Sequence, residues 1–443
     1  MADRDSGSGP NGEAWLGAVE GYYGPPLEHH DRIELIEWLG RHGFNGYAYG
    51  PKDDPFHRQS WRQPYPPEKE KEFEDLIAAG ERSGVTVALG VSPGLDWTAG
   101  DEAHLVAKLS QFRRLGARAI AVAWDDVPPG RGELGEAHGS AVAHAVRELG
   151  DDLLWIAVPT DYSGLTATEY LKAFAGEVPE NVEIAWTGSG IVSAEVTGSQ
   201  ASSLAAELGR KPLFAENFPV NDGAMGGVLH LGPYPSRSPD LARETSGVFC
   251  NFMSMALASR VGLAVAARFW SDPSSDRLVA WRETLEEFPG LKPLAIASRS
   301  WVSSPDPDPD LSAWADAAVN GDVALLTYLQ GGCRSGLDRR LSEEIEPWLD
   351  QWERESNAMQ AAIALLNSPP SQTTELAFLT ATLWYIARHS REQLFGIRWA
   401  YYPVTERRGE QLVPRSEALV IGENLTDRLC SRALAGDSSK KRL

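Results

Sequence analysis

Cysteine is scarce: Cys250, Cys333 and Cys430 are the three in a chain of 443 residues, and no Cys-x-x-Cys pair is present to hold zinc or form a redox centre. No apolar run reaches the roughly 20 residues that span a bilayer. The first fourteen residues, polar and acidic, lack the basic start and apolar stretch of a signal peptide. A reduced, cytoplasmic setting away from membranes is the expectation. Positive charge is also short. With 41 Lys and Arg against 62 Asp and Glu, the net charge of −21 repels phosphate backbones and anionic lipid, so nucleic acid is excluded as a first partner. The nine histidines form no His-Glu-x-x-His or comparable ligand spacing, so neither a metal nor another cofactor is expected.

What the chain does have is a repeated alternation. Trp15 to Glu20, Phe44 to Tyr49, Thr86 to Val91, Ala119 to Trp124, Leu153 to Val158, Val182 to Trp186, Pro212 to Ala215 and Gly247 to Cys250 read as short buried strands. Helical spacing falls between them, over His30–His42, Glu68–Ser83, Glu102–Leu115 and Ser140–Leu149 among others. Eight strands joined by helical crossovers predict an α/β fold of the TIM (β/α)8 barrel type, with its site at the strands' C-terminal ends. A doubly wound open sheet is the alternative, but no Gly-x-Gly-x-x-Gly follows the first strand. Beyond Trp270 the texture turns helical, over Asp276–Phe288, Leu311–Leu329, Ser342–Leu366 and Thr373–Arg391, with a Pro-Asp linker at 303–309. Gln393 to Leu419 resists assignment. The expected organisation is a disordered start (1–14), a catalytic barrel (15–270), a helical C-terminal domain (271–435) and a disordered tail (436–443).

Polar residues gather at nearly every strand end, and the fourth strand ends most unusually, on the adjacent carboxylates Asp125 and Asp126 followed by Val127-Pro128-Pro129. Two neighbouring aspartates can serve one site only where a strand frays into a loop. Crowding their charges predicts that one of them keeps a proton near neutral pH, giving a general acid beside a fixed anion. The plainer reading, a helix cap and a solvated neighbour, fits an isolated Asp-Asp but not its company. Lys52 ends the second strand. Tyr162, Asn217, Asp222 and Asn251 are hydrogen-bonding groups suited to sugar hydroxyls and amides, although singly each also fits a turn or cap. Trp186 can be barrel filling or a flat wall for a sugar face. Tyr22 and Tyr23 either line the mouth or pack the first loop.

Taken together these stretches resemble glycoside hydrolase family 84, the family of O-GlcNAcases and bacterial β-N-acetylglucosaminidases. The resemblance is carried by Ala18-Val19-Glu20-Gly21-Tyr22-Tyr23-Gly24, Pro51-Lys52-Asp53-Asp54, Ser92-Pro93-Gly94-Leu95-Asp96, Asp125-Asp126, Pro159-Thr160-Asp161-Tyr162, Trp186-Thr187-Gly188, Asn217 with Asn221-Asp222, and Leu231-Gly232-Pro233-Tyr234. Order and spacing agree from about Gly17 to Asn251 and weaken over the helical part.

The resemblance implies a retaining exo-β-N-acetylglucosaminidase using substrate-assisted catalysis. Asp125 would orient the substrate's 2-acetamido group, whose oxygen is the nucleophile, and Asp126 would act as general acid and then base through an oxazoline intermediate. Two adjacent carboxylates are too close to flank a glycosidic bond, which agrees with a nucleophile from elsewhere. Gly21, Lys52, Asp222 and Asn251 match positions that hold the sugar's hydroxyls, and Tyr162 and Asn217 those that hold the acetamido group. Val158, Trp186, Thr187 and Ile191 fall where its methyl pocket is lined. Ala215 departs from the family, in which a tryptophan usually stands two residues before Asn217, and this implies a roomier pocket. The implied partner is a GlcNAc-containing glycoside or glycosylated protein, and a homodimer through the helical C-terminal domain is the assembly considered. The alternatives are a catalytically weak GlcNAc-binding or scaffold protein, and the same mechanism on another 2-acylamido sugar in a biosynthetic pathway.

Overall fold

A computed structural model of the chain describes residues 9–128, 132–223, 229–297 and 336–367, with isolated positions and short strands outside those ranges. Its centre is a closed barrel of eight parallel strands, each apolar enough to be buried on both sides. In chain order the elements are β1 (Trp15–Glu20), α1 (His29–Arg41), β2 (Gly46–Tyr49), α2 (Pro67–Ser83), β3 (Thr86–Val91), α3 (Glu102–Arg114), β4 (Ala119–Ala123), α4 (Gly132–Leu149), β5 (Leu154–Val158), α5 (Glu169–Glu177) and β6 (Val182–Trp186). There follow the short β7 (Glu195–Val196), α6 (Gly198–Leu208), β8 (Leu213–Glu216), the short β9 (Ser236–Arg237), α7 (Leu241–Glu244), β10 (Gly247–Asn251) and α8 (Ala256–Ser271). The hydrogen-bonded order around the barrel is β1-β10-β8-β6-β5-β4-β3-β2, while β7 and β9 pair with each other outside it. This is the expected TIM barrel, and it fixes which loops meet: those leaving the C-terminal ends of the eight strands.

The barrel's core layer is built from residues of unequal size. Trp15 and Phe249 pack against each other with ring planes tilted by 48° and centroids 5.1 Å apart, and the alanines Ala48, Ala88 and Ala119 leave them room. Gly17 is required beside them, because a Cβ there would lie 2.4 Å from the Phe249 ring. Two strand-end carboxylates are used up in scaffolding. Glu20 is paired with Arg32 at 2.8 Å and accepts from the Tyr47 hydroxyl, and Glu216 is paired with Arg237 at 2.7 Å and accepts from the Tyr234 hydroxyl. Each pair is almost fully buried.

The helix expected at Ser140–Leu149 begins eight residues earlier, at Gly132. Its glycines hide it from sequence patterning, because glycine is a poor helix former. They have a packing role instead: a Cβ on Gly135 would stand 2.2 Å from the Tyr170 carbonyl oxygen of α5, and one on Gly139 would stand 2.7 Å from that of Phe174. α6 carries its own start signal, a capping box in which Thr197 accepts from the Gln200 amide and the Gln200 side chain accepts from Thr197.

The chain divides into two compact units, one comprising residues 1–222 and 234–280, the other 223–233 and 281–443. α9 (Arg277–Leu285) runs across the 280/281 division, and in the second unit α10 (Lys292–Ala297), α11 (Arg339–Glu344) and α12 (Glu346–Asn367) follow. The single helix expected over Ser342–Leu366 is thus two, interrupted at Ile345 and restarted by Pro347 in the first turn of α12. The stretch that resisted assignment holds two antiparallel pairs, Trp399–Ala400 with Leu419–Val420 and Val404–Arg408 with Gln411–Arg415. The helix expected at Leu311–Leu329, the 303–309 linker, most of Thr373–Arg391, Cys333 and Cys430 lie outside the described residues. Among the described residues no helix is long and apolar enough to cross a membrane.

Candidate active site

β4 ends at Ala123, and the chain leaves it through Trp124, which is fully buried and held at both backbone ends. Its N–H donates to the Val158 carbonyl at 2.7 Å, and its carbonyl accepts from the Thr160 hydroxyl at 2.9 Å. The indole lies flat on the His138 ring, with centroids 3.9 Å apart. From this anchored residue the backbone turns sharply, because Asp126 adopts a φ of 58°, the left-handed region that side-chain-bearing residues seldom enter. The turn sends the two carboxylates into different surroundings.

Asp125 points inward. Its side chain is 14% exposed and forms a close ion pair with the buried Lys52 ammonium, which donates to Oδ2, while the Ser92 hydroxyl donates to Oδ1 at 3.3 Å. Burial works against its charge, but Lys52, assisted by Arg58, outweighs burial and holds the carboxyl below the usual carboxylate range. Asp125 is thus an anion compensated by a cation. Behind this ion pair lies His57, buried, with Nδ1 on the Gly90 carbonyl at 2.9 Å. Burial and the neighbouring Lys52 charge push its pKa down to about 4, so the imidazole is neutral at neutral pH.

Asp126 faces outward, its side chain 29% exposed. The Tyr23 hydroxyl donates to Oδ2 at 2.7 Å and the Tyr162 hydroxyl to Oδ1 at 3.1 Å. Burial and the Asp126 contact push the Tyr23 phenol up to about 12, and burial with the two aspartates raises that of Tyr162, so both remain hydroxyls. Arg58 closes the arrangement, donating through Nη1 to the Tyr23 oxygen at 2.5 Å and through Nη2 to the Asp126 carbonyl at 3.3 Å.

The other expected residues join this centre through hydrogen bonds. Asp222 accepts from the Tyr23 backbone N–H at 2.8 Å, and burial raises its carboxyl pKa. The Gly21 N–H donates to Asn251 Oδ1 at 3.2 Å, Asn251 Nδ2 donates to Asn217 Oδ1 at 3.2 Å, and Asn217 Nδ2 donates to the Ile191 carbonyl at 2.8 Å. Thr187 binds the Tyr162 carbonyl through its backbone N–H at 2.9 Å and sends its hydroxyl to the Gly190 carbonyl. Trp186 is 2% exposed with its indole N–H on the Gly164 carbonyl, so here it fills the barrel. Sequence reasoning missed Arg58 and His57. Their one signal was position, since both lie in the loop after β2 that carries Lys52, but a basic residue in a loop is ordinarily a solvated one.

Chemically, the mouth presents a cation-stabilised anion beside a more exposed carboxyl that is hydrogen-bonded on both oxygens. A ring of amides and one further carboxyl stands across from them.

Comparison with known proteins gives these groups a context. Residues 16–299 match the family model described as beta-N-acetylglucosaminidase. Two curated proteins named Protein O-GlcNAcase, from Rattus norvegicus and Mus musculus, are each 31% identical over 252 residues, covering 53% of this chain and 27% of theirs. The match thus spans about a quarter of the length of those relatives. A solved structure of an O-GlcNAc hydrolase mutant from Thermobaculum terrenum superposes with a TM-score of 0.77 at 23% identity, over 97% of this chain and 96% of that one, which is a likeness of fold.

Proposed function

The chain belongs to the beta-N-acetylglucosaminidase family, and from that premise we propose that it removes terminal β-linked N-acetylglucosamine from a glycoside or a GlcNAc-modified protein with retention of configuration. The anion of Asp125 orients the substrate's 2-acetamido N–H, and the acetamido oxygen attacks the anomeric carbon. The bond to the leaving oxygen breaks as Asp126 donates it a proton. Asp126 then takes a proton from the water that opens the oxazoline. Asn217 and Tyr162 bind the acetamido group, while Gly21, Lys52, Asp222 and Asn251 hold the hydroxyls. Thr187 backs the acetyl methyl, with Trp186 packed beneath it as support.

One observation carries this reading: the adjacent carboxylates stand in different surroundings, Asp125 buried against Lys52 and Asp126 more exposed between two phenols. Divergent environments are how two carboxyl groups come to hold different roles in one reaction. The test is turnover of an aryl β-N-acetylglucosaminide against the matching β-glucoside. Only the first should be cleaved, because the glucoside lacks the internal nucleophile. Equal rates on both would overturn the mechanism, and tight binding of an oxazoline mimic without hydrolysis of either would favour a binding protein.

Ala215 favours a second reading, that the acyl group is larger than acetyl. It is the third residue of β8, two before Asn217, and is partly exposed, whereas Leu213, Phe214 and Glu216 are buried. A series of aryl glycosides with progressively longer 2-acylamido chains should peak beyond acetyl if this reading holds.

A further inference from the structure

We infer that Arg58 is a positioning residue for the general acid: acting through Tyr23, it holds Asp126 in its left-handed turn and assigns the acid's transferable proton to Oδ1. The inference rests on the reading of Asp126 as the acid. Apart from Asn11, Asp126 is the only non-glycine among the described residues with a positive φ. Such a conformation persists where its surroundings over-determine it. Arg58 holds it from two directions, with Nη2 on the Asp126 carbonyl at 3.3 Å and Nη1 on the Tyr23 hydroxyl at 2.5 Å. Nη1 also stands 3.8 Å from Asp126 Oδ2. The guanidinium is fixed by burial and lies 5.6 Å from the Tyr23 ring centroid. Its Nε has no hydrogen-bond partner among the described residues, and its hydrogen bonds there go to Tyr23 and Asp126.

Proton bookkeeping gives this geometry a direction. A guanidinium can only donate, so the Tyr23 oxygen accepts from Arg58 and turns its own hydrogen to Asp126 Oδ2, 2.7 Å away. Oδ2 thereby becomes a committed acceptor. When Asp126 is protonated, the proton belongs on Oδ1, where the Tyr162 hydroxyl at 3.1 Å can rotate its own hydrogen away and leave Oδ1–H to point at the leaving oxygen. Proton transfer to the leaving oxygen then breaks the Oδ1–H bond, and Tyr162 turns back to donate to the new carboxylate. Oδ2 keeps its partner throughout, so one oxygen is held still while the other does the chemistry.

The test compares wild type, Arg58→Gln, Arg58→Lys and Tyr23→Phe on two N-acetylglucosaminides, one with a nitrophenyl leaving group and one with an alkyl leaving group. Wild-type turnover of both is read first. If it is absent, the functional reading fails and this inference is not what has been refuted. With active wild type, Arg58→Gln and Tyr23→Phe should lose about tenfold or more in kcat/KM on the alkyl glycoside while staying within about threefold on the nitrophenyl one. Arg58→Lys should not rescue, since a single ammonium cannot serve the Tyr23 hydroxyl and the Asp126 carbonyl together. In an Asp126→Asn background, Arg58→Gln should add no further loss. Equal losses on both glycosides, no loss, or full rescue by lysine would each overturn the inference. Tyr23 is 45% exposed, so its variant decides the matter if the Arg58 variants do not fold.

Discussion

At the scale of single residues, the roles of the two aspartates separate by experiment. Asp126→Asn should abolish turnover of glycosides with poor leaving groups and spare activated aryl ones, because the latter depart without a proton. On the proposed mechanism, Asp125→Asn should depress both by about a hundredfold or more, since an acetamido nucleophile would lose its orientation and its counter-charge. The reverse pattern in the two variants' kinetics would reverse the assignment. Lys52 gives a stability prediction with a sign. The Asp125 carboxyl is held low by Lys52, so its contribution is full above the ordinary carboxylate pKa and is lost as pH falls through the lowered folded value. Lys52→Met strands a largely buried anion, which should cost about 2–4 kcal/mol at pH 7. That cost should shrink at pH 5, where the unpaired carboxyl is free to protonate. Urea midpoints at the two pH values check this, and a cost that does not change with pH would show that the charge is not responsible. The Asp125-Asp126 pair was legible in sequence because buried strands rarely end on two acids. The two roles were implied only by the family resemblance, whereas the unlike surroundings of the two carboxyls depend on the Lys52 contact from the loop after β2 and on the turn at Asp126, neither of which leaves a mark in the local sequence.

At the scale of elements, the packing of α4 on α5 reaches the site. The Gly135 and Gly139 positions bring α4 against carbonyls of α5, and α4 carries the His138 ring that stacks on Trp124, next to Asp125. Gly135→Ala should push the helices apart and cost about 1–3 kcal/mol, the usual range for overpacking, despite alanine's better helix propensity. It should also lower kcat on every glycoside alike, because Trp124 supports both aspartates. Urea denaturation and kinetics with two leaving groups test this together. A variant more stable than wild type would mean that α5 yields freely and that the contact is not tight. The strands β1, β3 and β6 were readable to the residue because each is an apolar run bounded by turn residues. The start of α4 was not, because the glycines that make its close contact are the residues that erase its helical signature.

At the scale of the whole molecule, two opposing electrostatic effects decide how the protein responds to acid. The net charge of −21 implies self-repulsion that weakens as pH drops toward the isoelectric point near 4.9, and this favours the folded state. Two buried histidines act the other way. Burial and Lys52 lower the His57 pKa to about 4, and burial lowers that of His138 to about 4. An unfolded histidine titrates near ~6.5, so between that value and about 4 the unfolded chain binds more protons and stability falls with pH. Each histidine then removes up to about 1.4 kcal/mol per pH unit, so the two together remove somewhat under about 3. Repulsion between surface charges is screened beyond about 8 Å at physiological salt, so the histidine effect should dominate there. Urea midpoints should decline steadily below pH 6.5, more steeply still at high salt, where the relief of repulsion disappears; above pH 7 they should go on rising, because burial lowers the Lys108 pKa to about 7. His138→Gln removes one titrating group while keeping a polar side chain near the Tyr170 hydroxyl, which His138 meets at 2.8 Å. It should lower stability at pH 7 through the lost ring stacking on Trp124, yet roughly halve the slope between pH 6.5 and 4.5. A slope unchanged by that substitution would place the acid sensitivity elsewhere in the fold.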